Sequence, residues 1–377
     1  MKKLLCLIVM LACAFVFFGC TQNESDAITF GILGPFSGNL SVYGTSVREG
    51  AMLAIDDLNA NGGILGKQVK ALSEDDEGDP KKVLSAYNKL IDNIDFLIGE
   101  VTSGNSELIA TQVNKDKVPA ITPSATADSV TKNREYMFRA CFLDPTQGET
   151  MADFTNDTLK VKKVAIVYDL SDDYSKGVAS AYEEKAKTLG LEIVLNDGGL
   201  RAKDNDQRNA LIAKIKGSNA EAVFAPIYYE DAALLAKGLR QEGYTAPLLG
   251  ADGYDGILRQ LSGTGDYTPA NNVFFSNHYC ASDENIKEFS KKYNEKYGKE
   301  PTSFAALAYD AVMMAAKAME NAKSTDKALV KDALQKLEYK GGLTGDIKFN
   351  EQGDPIKTIC ICEYKDGEMV LKQRYVK

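Results

Sequence analysis

From residue 28 onward the chain alternates short runs of Ile, Val, Leu and Phe with longer segments in which apolar residues recur every three or four positions. ITFGIL (28–33) predicts a buried strand, and the VREGAMLAIDDLNANGG behind it predicts a helix. QVKALS, a helix from Pro80, DFLIGE, another helix and VPAITP continue the rhythm. A second series starts at VKKVAIVYD (161–169) and runs through YSKGVASAYEEKAKTLG, LEIVLN, a helix from Arg208 to Lys216, EAVFAPIY, a helix from Asp231 to Glu242 and APLLGAD. Strands that alternate with helices predict a parallel sheet covered on both faces. Two such series predict an α/β protein of two Rossmann-like lobes, although no sequence repeat relates them. The rest is less regular: NVFFSNHYC reads as a strand, and helices follow between Asp283 and Leu337. IKFN, IKTICICEYKDG and EMVLKQRYV then alternate like antiparallel strands with a turn at Asp366–Gly367. The pattern leaves open which lobe these late strands join.

The N-terminus breaks this pattern. Lys2 and Lys3 precede an uncharged stretch from Leu4 to Phe18, then Gly19 and Cys20. The apolar run is shorter than the ~20 residues of a membrane-spanning helix, so it predicts an export signal over residues 1–19. FFGC is similar to a bacterial lipobox, with Phe17 and Phe18 where a leucine and a small residue are usual. Cys20 is thus the expected lipidation site, and residues 20–26 form a polar tether. The chain has 53 Asp and Glu against 44 Lys and Arg, a net charge of −9. That balance excludes nucleic-acid phosphate as a partner and leaves no basic patch for a membrane surface, so attachment is expected through the lipid alone.

In wound sheets ligands lie beyond the carboxyl ends of the strands. The segments there are Gly34 to Tyr43, Thr102 to Ser106, Thr122 to Thr126, Asp169 to Tyr174, Tyr228 to Glu230, and Asp252. They are rich in hydroxyls and tyrosines. No GxGxxG follows the first strand and no GxxxxGK[ST] occurs, which removes the usual nucleotide signatures. Ser103 precedes the helix of SELIATQVNK, where a hydroxyl and free backbone N–H groups can converge on an anion; the plainer reading is a helix cap. In TPSATA, Thr122, Ser124 and Thr126 alternate along an extended segment. Neither Ser103 nor Ser106 has an evident base, no GxSxG surrounds any serine, and the single histidine, His278, reads as a surface or interdomain residue. No catalytic residue is assigned. The acidic run Glu74 to Asp79 lacks calcium-loop spacing and reads as a solvated loop. His278, Cys280, Cys360 and Cys362 lack structural-zinc spacing, so neither a metal nor a cofactor is expected.

Taken together, GPFSGNLSVYG, GAMLAIDDLNANGGILGKQV, DDEGDP, LIGEVTSGNS, PAITPSATA, FRACFLDPTQG, VAIVYD with Tyr174, and LLGADG resemble the leucine/isoleucine/valine-binding proteins of ABC transporters, which are type I periplasmic binding proteins. The resemblance covers essentially all of the chain after the tether. It implies two lobes joined by a three-strand hinge, with residues 27–141 and 279–350 in the first and 142–278 and 351–377 in the second. It also implies an amino acid trapped in the cleft between them. Ser103, Ser124 and Thr126 match positions that grip the ligand from the first lobe, the first of them through its carboxylate. Tyr174, Tyr228 and Asp252 match positions of the second lobe, Asp252 pairing with the ammonium. Tyr43, Val101, Thr102 and Phe304 fall where side-chain preference is set. Gly78 and Thr102 stand where some members carry a disulfide, and Cys141 and Cys280 fall near two crossovers, which suggests a hinge disulfide instead. The implied role is an exported, lipid-anchored, monomeric receptor that delivers an L-amino acid, branched-chain or aliphatic, to the permease of an ABC importer. The alternatives are a receptor of the same fold for an amide, small peptide or aromatic acid and, in another class, an exported hydrolase.

Overall fold

The computed structural model describes residues 27–201, 204–279 and 281–375. The signal segment, the tether, the lipidation site Cys20 and Cys280 lie outside the described residues. The first sheet has five strands: β1 (Ile28–Gly34), β2 (Val69–Asp75), β3 (Phe96–Ile98), β4 (Ala120–Thr122) and β5 (Met137–Arg139). They lie in the order β2-β1-β3-β4-β5, and every neighbouring pair is parallel. In the second sheet, β6 (Lys163–Val167), β7 (Glu192–Asp197), β8 (Ala222–Phe224), β9 (Leu248–Gly250) and β10 (Val273–Asn277) are also parallel to their neighbours. A two-stranded ribbon, β11 (Glu338–Tyr339) with β12 (Ile347–Lys348), stands apart. β13 (Ile359–Lys365) and β14 (Glu368–Tyr375) extend the second sheet antiparallel at the β10 edge, giving β14-β13-β10-β9-β8-β6-β7. The late strands therefore join the second sheet. Their hairpin turns at Asp366 and Gly367, whose φ values of +52° and +84° suit an Asp-Gly pair.

Central strands such as Phe96–Ile98 and Leu248–Gly250 are buried along their whole length, the burial expected of parallel strands sandwiched between helices. The helix Ser41–Ala60 packs along Ser303–Ala322, and Tyr309 Oη donates to Asp57 Oδ2 at 2.8 Å while Lys299 Nζ donates to Glu49 Oε1 at 2.8 Å. The helices late in the sequence thus return to the first sheet's side. The chain passes between the two sheets after β5, after β10 and between β12 and β13. Two buried cations tie the first of these passages to the third. Arg139 Nε donates to Asp354 Oδ1 at 2.7 Å, and Lys357 Nζ donates to Ala140 O at 2.8 Å and to Thr344 Oγ1. Burial lowers Lys357 to about 8, against the pull of the Asp310 carboxylate.

Cys141 is a free cysteine in this structure, fully buried, with its thiol donating to Ala125 O at 3.3 Å. Cys280, the other member of the expected pair, lies outside the described residues.

Candidate functional site

The turn after β3 builds one wall. Gly99 has φ +136°, and a Cβ there would sit 2.4 Å from Leu33 O, so the chain can leave the strand this way only with glycine. Thr102 is the N-cap of the helix Ser103–Asp116 in an extended conformation. Its backbone N–H and hydroxyl both bond to Glu100 Oε2, at 2.6 and 2.9 Å. Ser103 is the first helical residue, and its hydroxyl accepts from Ala127 N at 3.2 Å, so it braces the neighbouring loop instead of capping its own helix. Ser124 Oγ donates to Val101 O at 2.7 Å, which ties the two loops together again. Beneath them Arg139 is fully buried and donates to Ala125 O and Ala127 O at 2.8 and 2.9 Å. The first N–H groups of a helix have no intrahelical acceptor, so this wall presents hydroxyls and a positive dipole end.

The opposite wall comes from the second sheet. Tyr174, in the first turn of the helix Asp173–Thr188, accepts from Gly253 N at 2.9 Å. Tyr228, the N-cap of the helix Tyr229–Gln241, stacks on Tyr174 with centroids 5.1 Å apart and donates to Asp172 Oδ2 at 3.3 Å. Asp252, just past β9, is 2 % exposed; its Oδ2 lies 3.1 Å from His278 Nε2, and its Oδ1 has no partner among the described residues. Tyr43 bridges the walls: its hydroxyl donates to Gly253 O, accepts from Tyr229 N at 3.0 Å, and its ring stacks on Phe304 at 4.3 Å.

Tyr43, Val101, Thr102, Ser103, Ser124, Thr126, Tyr174, Tyr228, Asp252 and Phe304 all line one cavity, together with Gly253. Its volume is about 10 Å³, room for no more than about one water, so the walls must separate before any organic molecule enters. Outside it lies a cleft of about 440 Å³ that shares Tyr228 and carries Glu77, Asp169, Asp172 and Glu230.

Several polar residues here were missed from sequence. Asp76, placed in a solvated acidic run, is fully buried and accepts from Gly78 N at 2.8 Å. Burial, and then the Asp76 carboxyl, push Glu100 well above the usual carboxylate range. Asp144 is buried and raised as well, mainly by desolvation, and accepts from Gln147 Nε2 at 3.2 Å. Gln147 Oε1 in turn accepts from Asp252 N at 3.2 Å and from Ser276 Oγ at 3.0 Å. Of the two places expected for His278, surface or interdomain, the surface is ruled out: it is 2 % exposed, stacked on Phe142 at 3.8 Å, at the passage that follows β10. The only sequence signal for these residues was their closeness to strand ends. Among the described residues no group of three or more His, Cys, Asp or Glu is placed to hold a metal ion, and no helix is long and apolar enough to cross a membrane.

The cavity thus sets anion-binding groups against one buried carboxylate, with Val101, Phe304 and three tyrosines between them. Comparison with known proteins gives a matching picture. A family profile described as periplasmic binding protein matches residues 27–368. The leucine-, isoleucine-, valine-, threonine- and alanine-binding protein of Pseudomonas aeruginosa is 30 % identical over 359 residues, covering 91 % of each chain. A leucine binding protein from Thermotoga maritima superposes with a TM-score of 0.85 at 31 % identity, covering 93 % of this chain and 99 % of the other. The branched-chain amino acid transporter substrate binding protein of Streptococcus pneumoniae, solved in complex with isoleucine, gives the same TM-score, identity and coverage.

Proposed function

The chain belongs to the periplasmic binding protein family, and on that premise we propose that it is an extracytoplasmic receptor for an L-amino acid with an aliphatic side chain. The family is one of binding proteins, not of enzymes. In this reading Ser103, Ser124, Thr126 and the N-terminus of the helix Ser103–Asp116 receive the ligand's carboxylate, and Asp252 receives its ammonium. Tyr174 and Tyr228 close over the backbone atoms, while Tyr43, Val101, Thr102 and Phe304 enclose the side chain. The observation that carries the reading is that Asp252 and the hydroxyl wall meet in one cavity with no Lys or Arg in its lining. A lone carboxylate facing neutral anion-binding groups is complementary to a zwitterion and unsuited to a doubly charged phosphate. The receptor is further proposed to be monomeric, anchored through a lipid on Cys20, and to hand its ligand to the permease of an ABC importer.

The test is to purify the protein natively, unfold it and record the mass spectrum of whatever small molecule is released. A branched-chain or other aliphatic amino acid is the expected result. A nucleotide, a sugar or an aromatic acid without an amino group would overturn the assignment.

A further inference from the structure

The chain contains one histidine. His278 stands immediately after β10, where the second sheet hands the chain back to the first. Its Nε2 is 3.1 Å from Asp252 Oδ2, its ring lies against Phe142, and Nδ1 has no partner among the described residues. Among the described residues the ring's one bond partner is therefore the carboxylate assigned to the ligand's ammonium. That contact fixes the tautomer with the proton on Nε2, donating to Oδ2, and leaves Oδ1 as the oxygen available to the cavity that Asp252 lines.

We propose that His278 is the positioning and proton-sensing residue of the ammonium site: neutral, it orients Asp252 for the ligand; protonated, it cancels the charge of Asp252 and releases the ligand. The proposal rests on the reading of Asp252 given above. With a neutral ring the pair carries one negative charge; with a protonated ring it carries none. An ammonium brought into this buried site would then meet a neutral pair, and the ring cation would repel it in a low-dielectric setting. Coupling of this kind is reciprocal, so a bound ammonium must also make the imidazole harder to protonate.

The other ionisable groups around the pair come from every neighbouring element. Lys357 on the third passage lowers the proton affinity of His278, adding to the larger effect of burial, while Asp252 raises it. Asp144 and Cys141 act on the same group of charges from the first passage, and Tyr43 and Tyr174 from the two walls. Burial raises the Asp144 carboxyl, and the carboxylate in contact with the ring is that of Asp252, 3.1 Å from Nε2.

A single histidine makes the test direct. The imidazole resonances of the intact protein are titrated by NMR with and without saturating L-leucine, L-isoleucine or L-valine. Calorimetry then compares affinity at pH 7.5 and pH 5.0 for the wild type and for His278→Gln, which keeps an N–H donor but cannot titrate. The expected results are an imidazole pKa lowered by about one unit on binding and a wild-type affinity several-fold weaker at pH 5.0, the one-unit shift setting a ceiling of about tenfold that is reached only below both imidazole pKa values. His278→Gln should lose the acid dependence, its affinity being the same at pH 5.0 as at pH 7.5, whereas a residue that only fills space would leave that dependence in place. Binding that is equally tight at both pH values, with an unmoved imidazole, would overturn this proposal alone. No binding of any of the three amino acids at either pH would overturn the reading of Asp252 as well. Should His278→Gln fail to fold, the wild-type titration still decides.

Discussion

Asp252 carries the sharpest consequence of the account at the scale of single residues. It is buried, one oxygen faces His278 and the other has no partner among the described residues. Removing one member of a desolvated charge pair costs on the order of 2–5 kcal/mol, so Asp252→Ala should weaken amino-acid binding by about a hundredfold or more while leaving the melting transition of the free protein in place. Calorimetry with L-leucine checks this; near wild-type affinity would remove Asp252 from the site. Asp172 offers a different test, because burial raises it to about 6 even though it caps the helix Asp173–Thr188 by accepting from Ser175 N at 2.8 Å. A carboxyl raised in the folded state contributes stability below its unfolded pKa near 4 and loses it as pH rises through about 6. Asp172→Asn keeps a capping oxygen and no charge, so it should be more stable than wild type by about 1 kcal/mol at pH 7.5, the gap closing towards pH 4. Denaturant unfolding at the two pH values measures it. Hydroxyls and Asp252 could be placed from sequence because each follows a strand whose end defines the cleft. Asp76, Glu100, Asp144 and His278 could not, because their burial comes from loops folding over one another, which no local pattern records.

At the scale of elements, two helices approach each other tightly beneath the site. A Cβ on Gly50, in Ser41–Ala60, would lie 2.0 Å from Ala305 O at the start of Ser303–Ala322, the helix that presents Phe304. Gly50→Ala should therefore force these helices apart, costing about 1–3 kcal/mol in urea unfolding and weakening ligand binding through the displaced Phe304. An unchanged midpoint would mean that the helices slide at little cost. The long helices and the buried strands were readable because their periods extend over many residues. β5 was missed because three residues ending in an arginine carry no period, and its Arg139 is tolerated there only by four partners. The sheet chosen by β13 and β14 was not readable from their own pattern either, since pairing partners far apart in sequence leave no mark on either strand; only the family resemblance assigned residues 351–377 to the second lobe.

At the scale of the whole molecule, two sheets enclose a cavity of about 10 Å³ between walls bridged by Tyr43 and by Tyr229, whose hydroxyl donates to Asn39 O. Binding must couple to separation and closure of the lobes about the three passages, which Arg139 and Lys357 hold in register. With the proposed assignment, in which each wall carries groups for only one pole, both poles of an amino acid are needed to draw the walls together. The most direct measurement is calorimetric titration of the intact protein with L-leucine, isocaproate and isopentylamine, ligands that share a side chain but carry both poles, the carboxylate alone or the ammonium alone. The account predicts tight binding of L-leucine and a loss of about a hundredfold or more for each single-pole analogue. Isocaproate binding as tightly as L-leucine would contradict it.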